Sequence, residues 1–132
     1  MIDSTALLES DFPNLIHRGK VRDTHFVDEE TLLMVATDRV SAFDVVLPTG
    51  IPGKGKVLNQ MASFWFEKTN HIIPNHFLKL GVDDQRLDCY SSDLKTRSML
   101  IKKAERLDVE CVARGYITGS ALLEYQEKGS VK

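Results

Sequence analysis

The sequence predicts an α+β fold, in which an antiparallel β-sheet is flanked by helices. Two runs of strand-forming residues lie on either side of a short acidic turn, as in an antiparallel hairpin. Apolar residues recur at helical spacing further along the chain, which predicts helices that pack against the sheet. The resulting order of helix, hairpin, loop, helix, strands and helix fits a sheet with its helices on one side.

The predicted hairpin forms the first half of the sheet. One strand runs from Leu15 to Val27, the turn is Asp28-Glu29-Glu30, and the second strand is the apolar run 32–36. Such a continuous apolar strand is usually covered on both faces. The turn is short enough to make the two strands antiparallel neighbours.

A loop and a helix are predicted to follow the hairpin. Glycine and proline are dense between residues 41 and 56, which predicts the loop. The helix is predicted over 56–69, and five of its apolar residues are expected in the core: Leu58, Met61, Ala62, Trp65 and Phe66. Residues 72–96 are predicted to form a short strand and then a variable loop.

Two more strands and a helix are predicted near the end of the sequence. The strands span 98–103 and 109–114, and Cys111 in the second is expected to be a buried free thiol. The helix spans 120–128, between Gly119-Ser120 and Gly129.

Composition excludes several classes of function. A formal net charge of −2 over 132 residues argues against a nucleic-acid or membrane-surface partner. The two cysteines and four histidines occur in no metal-ligand spacing, so no metal site is predicted among them. The sequence contains no secretory h-region and no long apolar run, which predicts a cytoplasmic protein.

The first candidate site is a basic segment of the hairpin. Arg18, Lys20 and Arg22 alternate along the predicted strand and share one face, with Gly19 between them. Three neighbouring cations repel one another unless an anion lies between them. The segment is therefore either a glycine-containing hairpin over phosphates or a solvated basic edge strand.

The second candidate site follows the apolar strand. Asp38, Ser41 and Asp44 come where the strand ends, which is a usual location for a site, although Asp38 with Arg39 could equally be a surface ion pair. Further on, Lys54 lies in a glycine-containing loop just before a helix. The N–H groups of that helix start could hold an anion, and a plain basic loop is the alternative.

The third candidate site lies at the end of the predicted strand 109–114. Arg114 ends this strand and Ser120 opens the last helix. An arginine beside a helix N-terminus suits a carboxylate or phosphate, and the alternative is a capped helix after a turn. Glu110 shares a strand face with Arg114 and would be costly to bury unless it were paired or faced a polar cleft.

Four segments together resemble one known family. They are Gly19-Lys-Val-Arg-Asp23, Val35-Ala-Thr-Asp-Arg-Val-Ser-Ala-Phe-Asp44, Ile51-Pro-Gly-Lys-Gly-Lys56 and Val112-Ala-Arg-Gly-Tyr-Ile-Thr-Gly-Ser-Ala121. In this order they closely resemble the phosphoribosylaminoimidazole-succinocarboxamide synthases (SAICAR synthases), and the similarity runs from about Leu15 to Tyr125. The resemblance implies the N-terminal ATP-binding lobe of that fold over 1–108, and a hinge with the start of a second lobe over 109–132.

The resemblance also implies a reaction. These enzymes join the amine of L-aspartate to the carboxylate of carboxyaminoimidazole ribonucleotide (CAIR), and they convert ATP to ADP and phosphate. A carboxylate is a poor electrophile, so an acyl phosphate intermediate is expected. Three anionic reactants must meet, which calls for cations and Mg²⁺ to screen their charges.

Residue roles are implied by position in the four segments. The nucleotide-binding residues would be Gly19, Lys20, Val21, Arg22, Arg106 and Glu110. The substrate-binding residues would be Asp38, Ser41, Asp44, Lys54, Arg114 and Ser120. The catalytic residues would be Lys20, Arg114 and Ser120.

The family continues well beyond the position of Lys132. Its acidic Mg²⁺ ligands are expected in that continuation, so the isolated chain is expected not to turn over. The partners would be the small molecules ATP, CAIR and L-aspartate. The alternative is a non-catalytic ATP-binding or interaction module, and an unpaired apolar surface could make it a homo-oligomer.

Overall fold

A computed structural model describes residues 5–105, 107–109 and 111–131. Its strands in chain order are β1 (Leu15–Arg18), β2 (Arg22–Phe26), β3 (Thr31–Ala36), β4 (Ser41–Ala42), β5 (Val45–Val46), β6 (Phe77–Leu80) and β7 (Ser98–Lys102). Its helices are α1 (Lys54–Thr69), α2 (Ser92–Thr96) and α3 (Ser120–Lys128). Five strands form an antiparallel sheet in the order β1-β2-β3-β7-β6, and β4 pairs with β5. The predicted α+β fold is confirmed.

The beginning of the sheet contains one more strand than predicted. Residues 15–27, predicted as a single strand, form β1 and β2, which are joined by a turn where the Gly19 amide donates to the Arg22 carbonyl at 2.7 Å. The three cations predicted on one strand face are therefore distributed over two strands and a turn. The acidic turn at 28–30 joins β2 to β3, as predicted.

The hydrophobic core lies on one face of the sheet. Leu33 and Val35 of β3 and Leu100 of β7 are almost completely buried there. The variable loop predicted within 72–96 is instead structured: residues 81–97 cover this face with two 3-10 turns and α2, and they add Leu87 to the core. The alternate residues of β3 are only partly buried. The expectation that this strand is covered on both faces is therefore only partly met.

Helix α1 contacts the sheet through small and polar residues. Gly55, Asn59 and Ser63 are its buried residues. The Asn59 side chain donates to the Ser98 carbonyl at 3.0 Å, which ties α1 to the start of β7. A Cβ atom at Gly55 would lie 2.1 Å from the Ala36 carbonyl oxygen, so the first turn of α1 packs directly against the backbone of β3.

The apolar residues of α1 were expected in the core, but the structure places them elsewhere. Leu58 is 45%, Met61 53% and Trp65 55% exposed, whereas Ala62 and Phe66 are partly buried. The prediction was wrong because helical spacing shows which residues share a face, but it does not show which face meets the sheet.

The described residues between β7 and α3 form neither a helix nor a strand, so the strand predicted over 109–114 is wrong where it can be compared. Cys111 is exposed and is not the buried thiol that was predicted. Helix α3 begins at Ser120 and is followed by Gly129, as predicted, and none of its residues is buried. No helix in the described part of the chain is long and apolar enough to cross a membrane.

Candidate functional site

A cleft of about 220 Å³ lies on the face of the sheet opposite the core. Its floor is apolar and consists of Met34, Ala36 and Met99. Successive residues of a strand point to opposite faces of the sheet, so the residues next to these three, such as Leu33, Val35 and Leu100, point into the core. Helix α1 forms a wall of the cleft, and the cations Arg22 and Lys54 are among the lining residues. An apolar floor with a few cations suits a ligand that has a flat ring and anionic groups.

The turn between β1 and β2 borders this cleft and is held from beneath by a buried arginine. The Arg39 guanidinium donates to the Gly19 carbonyl at 2.9 Å and to the Lys20 carbonyl at 3.1 Å. It also donates to the Asp23 carboxylate at 2.7 Å, which keeps its charge paired inside the protein. The turn is therefore fixed at its backbone while Val21 lines the cleft.

Lys20 connects this turn to the β4–β5 ribbon. Its ammonium forms an exposed ion pair with the Asp44 carboxylate, and the hydrogen bond from Lys20 lowers the pKa of Asp44. Asp44 and its neighbour Phe43 have positive φ values of 66° and 49°, as a tight hairpin turn requires. Ser41 lies in β4, and the Lys20–Asp44 pair connects its ribbon to the predicted phosphate-binding turn.

Asp38 is fully buried and is the anion at the start of α1. One carboxylate oxygen accepts hydrogen bonds from the Gly55 amide at 2.8 Å and from Arg97 at 2.9 Å. The other accepts from the amides of Leu7 at 2.9 Å and Gly53 at 3.3 Å. Burial alone would raise the pKa of Asp38, but the hydrogen bonds, led by that from Arg97, hold it below its ordinary value.

The start of α1, for which an external anion and a plain basic loop were the two alternatives, therefore holds an anion of the protein itself. Asp38 has no exposed surface, which is at odds with its predicted direct contact to a substrate. Its hydrogen bonds instead fix the two residues that flank Lys54, Gly53 and Gly55. Asp38 is thus a residue that positions the loop beside the cleft.

Lys54 is the first residue of α1 and lines the cleft. Its ammonium donates to the Arg39 carbonyl at 3.0 Å. Burial lowers the pKa of Lys54, Asp38 partly offsets this effect, and Arg39 adds to it. An ammonium that is partly desolvated in this way gains strongly from a phosphate or carboxylate that enters the cleft.

His76 is a cleft residue that sequence reasoning missed. It lies before β6, and its ring packs edge-on against Phe66 of α1 with centroids 4.9 Å apart. Burial lowers the pKa of His76, and the charge of Arg22 lowers it further. A lone histidine in a segment without periodicity carries no signal in the sequence that could have placed it here.

The third candidate site, around Arg114 and Ser120, is not among the cleft-lining residues. Arg114 is exposed and donates to the Thr118 hydroxyl at 3.0 Å, and Ser120 is the first residue of α3. Gly119 caps the helix with a φ of 65°. The structure thus brings Gly19–Arg22, Lys54 and Asp44 to one region, while Arg106 and Glu110 lie outside the described residues.

Comparisons with known proteins agree on one family. A family model described as SAICAR synthetase matches residues 15–131. The phosphoribosylaminoimidazole-succinocarboxamide synthase of Thermodesulfovibrio yellowstonii is 53% identical over 119 residues, which cover 89% of this chain and 40% of that protein. The chain therefore spans less than half the length of this curated relative.

Solved structures show the same relationship. The SAICAR synthase of Saccharomyces cerevisiae, determined in complex with SAICAR, matches with a TM-score of 0.80 at 36% sequence identity. The match covers 95% of this chain and 46% of the yeast chain. A type-2 SAICAR synthetase in complex with ADP shares the fold, with a TM-score of 0.51 at 22% sequence identity. That match covers 66% of this chain and 32% of the other. Sequence and fold agree over nearly all of its length, so the chain belongs to the SAICAR synthetase family.

Proposed function

We propose that the chain is the nucleotide-handling part of an ATP-dependent ligase of purine biosynthesis, which joins L-aspartate to the carboxylate of CAIR. The observation that carries this proposal is the cleft, where an apolar floor lies beside a fixed glycine turn and two cations. Membership of the SAICAR synthetase family supports the same reaction. In line with this, one solved relative was determined with SAICAR and a structure of the same fold with ADP.

The residues around the cleft have distinct proposed roles toward ATP. The turn of Gly19 and Lys20 lies over the phosphates, and Arg22 and Lys54 screen their charge. From their place in the family resemblance, we assign Arg106 and Glu110 to nucleotide binding. The apolar floor accepts the flat base, because burial of apolar surface from both partners is favourable.

Two steps then form the amide bond. A carboxylate oxygen of CAIR attacks the γ-phosphorus of ATP, and ADP leaves with the electrons of the broken P–O bond. The amine of aspartate next attacks the acyl carbon, the phosphate leaves, and the amine loses a proton as the amide forms. Lys20 stabilises the charge on the transferring phosphoryl group, because a cation aimed at developing charge favours the transition state.

The substrate side is proposed to include residues near and beyond the cleft. Arg114 and Ser120, a guanidinium beside a helix start, hold an anionic group of CAIR. Ser41 and Asp44 lie on the aspartate side, where a carboxylate can pair with an ammonium. Asp38 acts through Lys54, which it positions without touching the substrate.

Magnesium does not fit a site within the described segment. No group of three or more histidine, cysteine, aspartate or glutamate side chains that would hold a metal occurs among residues 5–105, 107–109 and 111–131. We assign the Mg²⁺ of the reaction to the ATP phosphates and to the acidic residues expected in the continuation of the family. None of the roles above depends on a metal held by this chain.

The proposal treats 1–108 as the nucleotide-binding lobe and 109–132 as a hinge with the start of a second lobe. Because the chain covers about 40% of its relative, this part alone is expected to bind ATP without turning over. A ligand site that lacks its opposite wall orients one reactant but cannot align three.

Calorimetric titration and an ADP-release assay test the proposal. ATP with Mg²⁺ should bind to the chain. Arg22→Ala should weaken ATP binding by about tenfold or more, because one charge-assisted contact is lost. The control is Lys128→Ala at an exposed position, which should leave ATP binding unchanged. With CAIR and aspartate added, ADP release should stay at background. Failure to bind ATP would refute the nucleotide site, and robust ADP release would refute the incompleteness of the catalytic site.

A further inference from the structure

The imidazole of His76 lines the cleft and has no hydrogen-bond partner among the residues that the structure describes. The uncharged polar side chains beside it are already engaged, since Thr37 donates to a backbone carbonyl at 2.8 Å and Asn59 to another at 3.0 Å. In the described part of the chain, no fully buried side-chain nitrogen or oxygen lacks a partner, so the ring nitrogens of His76 are accessible from outside. A polar group that stays open in a cleft is available to a ligand.

Neighbours on three elements hold His76 in place. The Lys102 amide donates to the His76 carbonyl at 2.7 Å, which ties the residue to the end of β7. The His76 ring packs edge-on against Phe66 of α1, whose own ring stacks on Phe77 of β6 with centroids 6.0 Å apart. The Asn75 side chain also donates to the Phe66 carbonyl, at 2.9 Å. The imidazole is therefore preorganised, which lowers the entropic cost of binding a ligand.

Charge distinguishes the ligand groups that His76 and the cleft cations can hold. Burial lowers the pKa of His76, and the positive charge of Arg22 lowers it further, so the imidazole is neutral at pH 7. Arg22 and Lys54 are cations suited to phosphates, whereas a neutral imidazole has one donor and one acceptor. Such a ring suits the nitrogen atoms of an uncharged heterocyclic base.

Position along α1 gives the same division of the cleft. Lys54 begins the helix, and Phe66, against which His76 packs, lies near its other end. At 1.5 Å per residue, Lys54 and Phe66 are about 18 Å apart along the helix axis. An extended nucleoside triphosphate has its base and its last phosphate at opposite ends, so phosphates at Lys54 leave the base toward His76. A general base must come within about 3 Å of the proton that it takes, so His76 lies too far from the phosphate end for that role.

We propose that His76 is a base-recognition residue, whose imidazole forms a hydrogen bond with the polar edge of the six-membered ring of adenine. The floor residues Met34 and Met99 contact the face of the base, while His76 contacts its edge. The proposal rests on the proposed function, because the cleft is taken as the ATP site. It adds to that site a residue that reads the base instead of the phosphates.

Titration calorimetry of the chain with ATP and Mg²⁺ tests the proposal. His76→Phe keeps an aromatic ring against Phe66 but removes both ring nitrogens. It should weaken ATP binding about three- to tenfold, which is the effect of one lost neutral hydrogen bond. His76→Gln keeps a donor and an acceptor and should retain most of the affinity for ATP. The matched control is His71→Phe at an exposed position, which should leave ATP binding unchanged.

A second ligand separates hydrogen bonding from packing. Benzimidazole riboside triphosphate keeps the phosphates, the sugar and a flat bicyclic base, but its six-membered ring has no nitrogen and no amine. It should bind the unmodified chain about three- to tenfold more weakly than ATP, and His76→Phe should not weaken it further. Lys54→Met removes a cation of the cleft and should weaken both ligands alike.

The outcomes separate this proposal from the proposed function. Unchanged ATP binding by His76→Phe would overturn the role of His76, and so would equal weakening of both ligands or a His76→Gln chain that binds ATP as weakly as His76→Phe. Circular dichroism checks the fold of each variant, and His76→Leu takes the place of His76→Phe if that variant does not fold. If the unmodified chain binds neither ligand, the nucleotide site itself is refuted.

Discussion

Arg97 is the largest side chain that the described part of the chain buries almost completely, at 2% exposed. Its guanidinium donates to Asp38 at 2.9 Å and to Asp93 at 3.0 Å. Burial alone would lower the pKa of Arg97, but these two carboxylates raise it above its ordinary value. A single cation therefore joins the end of β3, the start of α1 and helix α2.

We expect Arg97→Met to lower the free energy of unfolding by about 3–5 kcal/mol, because it leaves the buried Asp38 carboxylate without its cation. Urea denaturation at pH 7 measures this loss. The matched control is Arg114→Met, because Arg114 is exposed and its described side-chain partner is a hydroxyl. Equal stability of the two variants would show that the buried pair contributes little.

At Gly55, α1 packs directly against the backbone of the sheet. Its N–H donates to Asp38 at 2.8 Å, and an added Cβ would lie 2.1 Å from the Ala36 carbonyl oxygen. A backbone atom cannot move aside as a flexible side chain can. The position thus requires glycine because of close packing.

Gly55→Ala should destabilise the fold by about 1–3 kcal/mol or more, since the methyl group forces α1 away from β3. Thermal unfolding followed by circular dichroism should show a lower midpoint. Gly115→Ala, where an added Cβ meets no atom within 4 Å, is the control and should leave the midpoint unchanged. A stable Gly55→Ala protein would mean that α1 can shift without cost.

At the scale of secondary structure, the short helix α2 contributes a buried side chain to the hydrophobic core. It has only five residues, and Ser91 caps it by accepting a hydrogen bond from the Leu94 amide. Leu94 is 8% exposed and packs in the core beside Leu87 and Leu100. The segment 81–97 is therefore a structural cover for one face of the sheet.

Leu94→Ala should cost about 2–5 kcal/mol, because it leaves a cavity in the core that the neighbouring side chains refill only in part. Leu107→Ala, at a position that is 80% exposed, should cost almost nothing. Both values come from chemical denaturation of the purified chain. A small effect of Leu94→Ala would indicate that residues 81–97 leave the sheet easily.

At the scale of the whole molecule, buried carboxylates make stability depend on pH. Asp23 and Asp38 are buried and Asp93 is partly buried, which raises the pKa of each, but hydrogen bonds and nearby cations lower it by more, so each pKa lies below the ordinary 3.8. The native state then binds fewer protons than the unfolded chain near this pH. These groups add stability above about pH 4, and that stability is lost as the pH falls through their folded pKa values.

We expect the free energy of unfolding to be nearly constant from pH 7 to 5 and to fall steeply below pH 4. The slope should be roughly 1.4 kcal/mol per pH unit for each participating carboxyl group. Urea denaturation at pH 5, 4, 3 and 2.5 measures it, and Asp38→Asn should show a shallower fall. A flat profile down to pH 2.5 would contradict the prediction.

Local signals in the sequence were sufficient for part of the fold. The acidic turn between β2 and β3 and the limits of α3 were predicted correctly, because turns and helix ends are set by neighbouring residues. The element prediction ran one strand through Gly19, and a hairpin there was only one of two alternatives, because a strand that doubles back over three residues has the same alternation as one that continues.

The candidate site was predictable only as a set of residues. Gly19–Arg22 and Lys54 were identified from their chemistry and from the family resemblance, and the structure places Arg22 and Lys54 at one cleft. His76 joins them through the packing of Phe66, a contact with no periodic signal. Asp38 was expected to contact a substrate, but it is buried and hydrogen-bonded to Arg97, 59 residues away, a contact that no local pattern in the sequence reveals.

By itself the sequence determined the α+β class, the family and the residues that carry charge, because these depend on residue types and local order. Only the tertiary structure decided which side of each element is covered. Helix α1 turns Gly55 and Asn59 to the sheet and Trp65 outward, since close backbone packing at Gly55 and hydrogen bonds from Asn59 to the carbonyls of Thr96 and Ser98 hold that side against the sheet. Those contacts join residues far apart in the chain, so no local pattern could have revealed them.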